Sequence, residues 1–360
     1  MTLRVGILTS GGDCQALNAT MRGLAKTLYN CVDDVEIIGF KRGYYGLMHE
    51  DYVKMKPRDF SGIINEGGTI LGTSRQPFKE MRVIVDGFDK VAAMKKTYKK
   101  LNLDALAVLG GNGSLKSANM LAQEGLNVIG LPKTIDNDTW GTDYTFGFQS
   151  AIDIATRYLD DIHTTAQSHS RVFVVEVMGH KVGHITLAAG LAAGSDIILL
   201  PEIPYDINVV AKKVKERQKS GKGFTVIAAA EGAISKEDAT LSKKKYKAKV
   251  AARNGASVVN EIAAQLQEVL PDAEIRTAVI GHAQRGGRPD AYDRQISTRF
   301  GIEGARLIMN RSFGRLVVLK QGEVDSIALE DTAGKLKYVD PNGKTVSNAR
   351  LMGVTFGDNS

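Results

Sequence analysis

Between Gly130 and Asp138 the sequence reads GLPKTIDND, which sets a lysine, a threonine, two carboxylates and an amide directly after an apolar run, Asn127–Leu131. A run of that kind reads as a buried strand, so the polar cluster would stand at a strand end. In phosphoryl transfer the protein mostly positions groups and neutralises charge, and a carboxylate near the attacking hydroxyl can take its proton. Asp136 is the candidate base. Asp138, two residues on and on the same side if the segment is extended, could hold a metal ion or orient its neighbour. Thr134 offers a hydroxyl and an N–H to a phosphate, and Lys133 a point charge. The packing alternative is a network of Asx turns capping a helix.

Two glycine pairs are suited to anions. TSGGD at Thr9 and GGNGS at Gly110 each follow an apolar run and precede a helical stretch. Glycine lets backbone N–H groups approach a phosphate, and the following helix N-terminus adds partial positive charge. Neither loop fits G-x-x-x-x-G-K-[ST] or G-x-G-x-x-G. At the end of the second strand Lys41 and Arg42 stand where a dinucleotide site wants an acidic residue, which disfavours a nicotinamide-linked dehydrogenase. Arg75, Arg171, Arg276, His282 and Arg285 flank strands or precede glycine turns. Several such groups around one crevice imply a substrate carrying more than one phosphate.

The elements that must position these residues are legible as short runs rich in Val, Ile and Leu. RVGIL, VEIIGF, ALAVLGG, NVIGL, VFVVEVMG, DIILLPE, FTVIAAAEG, IRTAVIGH and RLVVL recur along the chain. Their continuity, without alternation, marks strands buried on both faces. Helical spacing lies between them at Asn18–Tyr29, Asp89–Leu101, Gln149–His163 and Asn254–Leu270, so the chain reads as α/β with parallel sheets covered on both sides. Most runs end in glycine or a polar cluster. In open sheets of this class the carboxyl ends of the strands open on one crevice, where the clusters should converge.

A chain of 360 residues is long for one core, so two domains are expected. The formal charge of +7 suits an anionic small substrate as well as nucleic acid, but aromatics are only 6% and no nucleic-acid motif is present. Cys14 and Cys31 make no disulfide framework or zinc site, there is no signal-peptide pattern, and no apolar stretch is long enough to span a bilayer. The expectation is a cytoplasmic protein without a nucleic-acid or membrane partner. KKKYKAK at Lys243 reads as a solvated face, and the tail beyond Arg315 as strand and turn outside the active region.

Taken in order, TSGGD with NATMRG, EGGTILGTSR, LGGNGS, PKTIDND, SHSRVFVVEVMG, LPE, AAEG and GHAQRGG resemble the 6-phosphofructokinases over nearly the whole chain. The resemblance implies phosphoryl transfer to the 1-hydroxyl of fructose 6-phosphate in glycolysis, with Mg2+ and with ATP or pyrophosphate as donor. It implies two Rossmann-like three-layer domains with the active site in the cleft between them. The larger, donor-binding domain would comprise residues 1–147 plus about 282–313, and the smaller, sugar-binding domain 148–281 plus about 314–360. The catalytic positions would be Asp136, Thr134, Asp138 and Arg75. Arg171 and Arg276 would grip the sugar phosphate from a neighbouring subunit of a homo-oligomer, expected to be a tetramer. Met178, Gly179, His180, Glu231, His282 and Arg285 match sugar-binding positions, together with Thr134 and Asp136. Gly12, Arg75, Gln76, Lys133 and the loop Gly111, Asn112, Gly113, Ser114 match the donor site, with Tyr44 near the nucleotide base.

Three departures bear on the chemistry. Asn112 replaces the aspartate that helps hold magnesium in the family's GGDGS, and an amide coordinates through its carbonyl or a water without bringing charge. His180 replaces the arginine of MGR. Gly113 resembles the ATP-using branch, where a missing side chain leaves room for the nucleotide, whereas Lys133 resembles the pyrophosphate users. Pocket shape favours ATP, and pyrophosphate is the alternative. A catalytically weak, sugar-phosphate-binding regulatory homologue is the reading of another class. Arg22 and Lys26 share a helix face, but His163 stands where an arginine would complete an effector site, and no effector is assigned.

Overall fold

The computed structural model describes residues 2–359. Along the first half run β1 (Leu3–Ser10), α1 (Leu17–Cys31), β2 (Val35–Phe40), α2 (Tyr44–His49), β3 (Tyr52–Met55), α3 (Lys90–Lys100), β4 (Ala105–Gly110), α4 (Asn112–Gln123), β5 (Val128–Pro132) and α5 (Phe148–His169). There follow β6 (Val172–Val177), α6 (His184–Ala192), β7 (Ile197–Leu199), α7 (Ile207–Lys219), β8 (Thr225–Ala230), α8 (Lys236–Ala239), α9 (Lys243–Ala252), α10 (Val258–Val269) and β9 (Ile275–Val279). The chain ends with α11 (Ala291–Met309), β10 (Arg315–Lys320), β11 (Glu323–Ala328) and α12 (Lys344–Leu351). All nine apolar runs form strands.

The chain divides into two units, one reaching to Ser150 and resumed over Arg285–Lys337, the other comprising Ala151–Gln284 and the tail from Tyr338. The first carries a seven-stranded sheet in the order β11-β10-β5-β4-β1-β2-β3. Every residue of β4 and β5 is buried, as their continuous apolar composition requires. Only the outermost strands, β3 and β11, are antiparallel to their neighbours. From β1 the order runs outward through β2 in one direction and through β4 in the other. That change of direction opens a crevice at the carboxyl ends of β1 and β4.

On one face of this sheet α1 and α11 cross closely at glycine. A Cβ on Gly23 would lie 2.6 Å from the Thr298 carbonyl oxygen, and one on Gly301 would lie 2.3 Å from that of Thr20. Backbone on both sides of the crossing leaves no room for a side chain. The other face is filled by a cluster that includes Phe40, Tyr44, Leu47, Met94, Leu106, Val108 and Val318.

The second unit is a four-stranded sheet, β7-β8-β6-β9, with all strands parallel. Val174, Ile197, Ile227, Val259, Ile262 and Leu266 belong to its core. The tail from Tyr338 packs here, with Phe356 fully buried and Arg350 bonded at 2.7 Å to both carboxylate oxygens of Asp358. The run from Lys243 is a helix, α9, without a buried residue.

One boundary differs from the sequence reading. The resemblance puts everything beyond about 314 in the smaller domain, but β10 pairs in parallel with β5 and β11 closes the same sheet, so the chain stays in the first unit to Lys337. An apolar strand such as RLVVL satisfies its backbone wherever an unpaired edge exists, and β5 supplies one. Among the described residues no helix is long and apolar enough to cross a membrane.

Candidate functional site

In the first unit three loops leave adjacent strands side by side. Ser10 at the end of β1 is in register with Gly110 of β4, and Gly110 with Pro132 of β5. TSGGD, GGNGS and PKTIDND therefore lie next to one another at the carboxyl edge of the sheet. A fourth loop, GTSRQ, is laced to the first. Thr9 Oγ1 donates to the Gly72 carbonyl at 2.8 Å, Thr73 Oγ1 to that of Gly11 at 2.7 Å, and the Gly11 N–H to that of Ser74 at 3.1 Å. This brings the exposed Arg75 and the half-buried Gln76 beside the glycine pair. Arg285 joins the same loops, with Nη1 donating to the Asp13 carbonyl at 3.0 Å. A Cβ on Gly12 would meet that nitrogen at 2.8 Å, so the residue must be glycine if Arg285 is to stay. Arg285, expected with the sugar-binding residues, keeps company with the donor loops.

The helix α4 starts at Asn112, and its first turn points unpaired N–H groups at this edge. Gly113 is exposed, and a Cβ there would meet nothing within 4 Å. Asn112 Nδ2 donates to the Asp138 carbonyl at 3.3 Å.

Two expected donor contacts need correction. Tyr44 cannot stack on a base, because it is wholly buried and its hydroxyl donates to the Ser114 carbonyl at 2.7 Å. Its neighbour Tyr45 is the accessible ring, with the Arg42 guanidinium 4.1 Å from its centroid. Lys133 is not held out to a phosphate either. Its side chain is buried and its ammonium donates to the Gly12 carbonyl. Burial pushes its pKa down, an effect that Cys14 opposes, Arg285 reinforces, and Asp136 and Asp13 oppose.

Within Lys133–Thr139 every residue except Asp136 is buried. The Asp136 N–H donates to Thr134 Oγ1 at 3.1 Å, and Asn137 turns the chain with φ of 53°. The Thr145 hydroxyl donates to the Thr134 carbonyl at 2.8 Å, and Asn137 Nδ2 to that of Asp143 at 3.2 Å. These bonds are a side-chain turn at Thr134 and ties from Asn137 and Thr145, and none of them caps a helix. They fold the loop so that Asp136 is its one half-buried residue.

The second unit gathers a set of its own. Glu231, which follows β8, accepts through Oε1 from the backbone N–H groups of Gly179, at 3.1 Å, and His180. The Met178 N–H donates at 2.8 Å to Oε1 of the buried Gln284, in the turn after β9 that also carries the exposed His282. Arg171 and Arg276 lie elsewhere in this unit. Both bind the Glu274 carboxylate, at 2.7 and 2.5 Å. Arg171 precedes β6 and Arg276 pairs with Phe173, so both stand at the amino end of the sheet. Met178 and Glu231 stand at its carboxyl end, about 20 Å away at the rise of an extended strand.

Some supporting residues gave no signal in the sequence. Asp293 is fully buried, accepting from Tyr144 Oη at 2.8 Å, the Gly147 N–H at 2.9 Å, and the N–H and hydroxyl of Ser150 at 2.8 and 2.5 Å. Buried Cys14 lies beside the same turn, with its thiol pushed up to about 12, chiefly by burial. Lys337, at the far end of the unit, donates to the loop after Asp138. The cap pattern around Asp290 predicts the helix start but not the partners of Asp293.

Known proteins place this arrangement. The ATP-dependent 6-phosphofructokinase of Spirochaeta thermophila is 49% identical over 361 residues, covering 99% of this chain and 98% of that one. ATP-dependent 6-phosphofructokinase 3 of Bacteroides thetaiotaomicron is 44% identical over 356 residues, covering 99% and 100%. Among solved structures, phosphofructokinase from Saccharomyces cerevisiae superposes with a TM-score of 0.78 at 26% identity over 98% of this chain, which spans 47% of the yeast chain. The family model described as Phosphofructokinase matches residues 4–308, from the first strand through the last helix of the donor-loop unit, and the chain therefore belongs to the phosphofructokinase family.

Proposed function

We propose that this chain transfers the γ-phosphoryl group of ATP to the 1-hydroxyl of fructose 6-phosphate, giving ADP and fructose 1,6-bisphosphate. Asp136 takes the hydroxyl proton as the new P–O bond forms. The observation that carries this is the burial pattern of PKTIDND, in which six residues are buried and Asp136 alone is half-buried, beside the donor loops at the carboxyl edge of the sheet. Thr134 braces the Asp136 backbone, and the four loops of the first unit carry the donor set: Gly12, Arg75, Gln76, Gly111, Asn112, Gly113 and Ser114. Met178, Gly179, His180, Glu231 and His282 carry the sugar set.

The choice of ATP rests on open space beyond Gly113, where a Cβ would meet nothing within 4 Å. The names of the relatives agree with it. Mg2+ fits these residues as an ion carried largely by the nucleotide. It commonly needs only one or two protein ligands besides phosphates and water, and Asn112 beside Asp138 offers an amide oxygen or a bridging water. When bound, the ion would neutralise charge on the β- and γ-phosphates. Free Cys14 and Cys31 accord with a reducing, cytoplasmic setting.

Arg171 and Arg276 argue for a homo-oligomer. Within one chain they cannot meet the sugar set across about 20 Å of strand, so a grip on the same sugar phosphate requires a second copy. β9, on which Arg276 sits, is an uncovered edge with Thr277 and Val279 also exposed. A homotetramer meets this need.

Assaying Asp136→Asn tests the reading. A fall in kcat of about a thousandfold is expected, in the range of a lost general base, with KM for fructose 6-phosphate within about threefold. Unchanged kcat would reject the base. Wild-type rates with ATP and with pyrophosphate, measured side by side, test the donor, and a preference for pyrophosphate would reverse it.

A further inference from the structure

The loop after Asp136 is held from two directions. Its outer limb is tied to the end of β10, where the Asp143 N–H donates to the Leu319 carbonyl at 2.8 Å, the Leu319 N–H to Thr142 Oγ1 at 2.9 Å, and the Gln321 N–H to Asp143 Oδ2 at 2.7 Å. Its inner limb, from Asp136 to Thr139, has no such strand beside it. The segment Leu336–Lys337 supplies one. Leu336 forms an antiparallel bridge with Thr139, and the Lys337 N–H donates to the Asp138 carbonyl at 2.9 Å. The same residue then reaches across with its side chain, where Nζ donates to the Thr142 carbonyl at 2.8 Å and the Asp143 carbonyl at 3.0 Å.

We propose that Lys337 is a positioning residue for phosphoryl transfer, clasping both limbs of the loop that presents Asp136. It touches neither substrate and acts through the loop backbone. A flexible surface lysine would hold nothing, but this one is half-buried, and its ammonium spends two donors on carbonyls instead of water. Burial lowers its pKa to about 8, with Asp143 and Asp138 opposing, as befits a charge drawn partly out of solvent beside two carboxylates. Misplacing a reacting group by about 1 Å can cost a hundredfold in rate. The loop segment between Asp138 and Thr142, which the clasp encloses, contains the only tryptophan of the sequence, Trp140. Trp140 is 45% exposed, with Lys335 Nζ 5.9 Å from its ring centroid. The loop therefore carries its own optical reporter.

This inference rests on the assignment of Asp136 as base, and the test separates the two. Lys337→Met, Lys337→Arg and Asp136→Asn are compared with the wild type for kcat, KM, melting temperature and acrylamide quenching of Trp140. The expected result for Lys337→Met is a kcat lowered about ten- to a hundredfold. KM for fructose 6-phosphate should stay within about twofold, the melting temperature within about 3 °C, and Trp140 should be more readily quenched. Lys337→Arg, which keeps charge and donors, should recover most of kcat and the wild-type quenching. Unchanged kcat in Lys337→Met, or a fall in kcat with unaltered quenching, overturns the clasp. So does an arginine variant as slow as the methionine one. If Lys337→Met does not fold, the arginine variant alone decides, by matching or failing to match wild-type kcat and quenching. Loss of activity in Asp136→Asn with full activity in Lys337→Met rejects the positioning role and keeps the base. Full activity in Asp136→Asn rejects the base.

Discussion

Asn112 Nδ2 donates to the Asp138 carbonyl across 3.3 Å, so the amide that opens α4 is bonded to the loop that presents Asp136. An aspartate at 112 would keep its place but exchange that donor for a second acceptor and a charge. Asn112→Asp should lower the Mg2+ concentration for half-maximal rate by at least about fivefold, because an added carboxylate raises affinity for a hard cation. Titrating activity with Mg2+ at fixed ATP checks this. The new carboxylate would also face a carbonyl it cannot bond, and a drop in melting temperature of a few degrees, about 1 kcal/mol, should accompany it.

Asp293→Ala strips four donors of their shared acceptor inside a closed turn. Each buried donor left unpaired costs about 1 kcal/mol or more, so a loss of about 3 kcal/mol or greater is expected. Chemical denaturation of the variant against wild type would show it. Asp293→Asn keeps two lone pairs on one oxygen and should fall between the two.

The crossing of α1 and α11 is equally unforgiving. Gly301→Ala should destabilise by about 1–3 kcal/mol, since a methyl would stand 2.3 Å from the Thr20 carbonyl oxygen. Gly304→Ala, on the same helix with its nearest neighbours at 3.4 Å, is the control. It should be neutral or slightly stabilising, as alanine favours helix. Equal losses at both positions would show that the crossing is not the cause.

The two cysteines should separate by reactivity. At pH 8 a thiol reagent should label the exposed Cys31 in the native protein, and both residues only after denaturation, because burial holds Cys14 protonated. The same shift has a consequence for stability. The Cys14 thiol ionises from 9.0 in the unfolded chain but only at about 12 in the folded one. Its contribution is thus complete below about pH 9 and lost as pH rises toward 12. Over that range Cys14→Ala should show a flatter decline of stability with pH than wild type.

Strands buried on both faces announce themselves, since neither face tolerates a polar residue, and eight of the nine runs could be read for that reason; β9, an edge strand without a buried residue, was legible only from its apolar residues. β3 and β11 could not. Each is an edge strand with partly exposed residues, such as Val53 and Lys54 or Glu323 and Asp325, and its pattern does not rise above that of a loop. RGYYG was ambiguous for a geometric reason. Adjacent residues on a helix point about 100° apart, so only one tyrosine can enter the core, and packing from α3 and β4 decided which. The reacting loops stood out by composition, whereas Lys337 did not. One lysine in a polar tail means nothing until the chain has folded back upon Asp138.

The pairing of β5 with β10 sets an order on biogenesis. Ile129 meets Arg315, and the whole of Ala151–Gln284 is translated between them. A nascent chain still tethered to the ribosome must hold the flank of β5 bare until nearly all its codons are read. Over that interval the bare flank invites mispairing with other chains, and chaperone dependence during synthesis is where its cost would be felt.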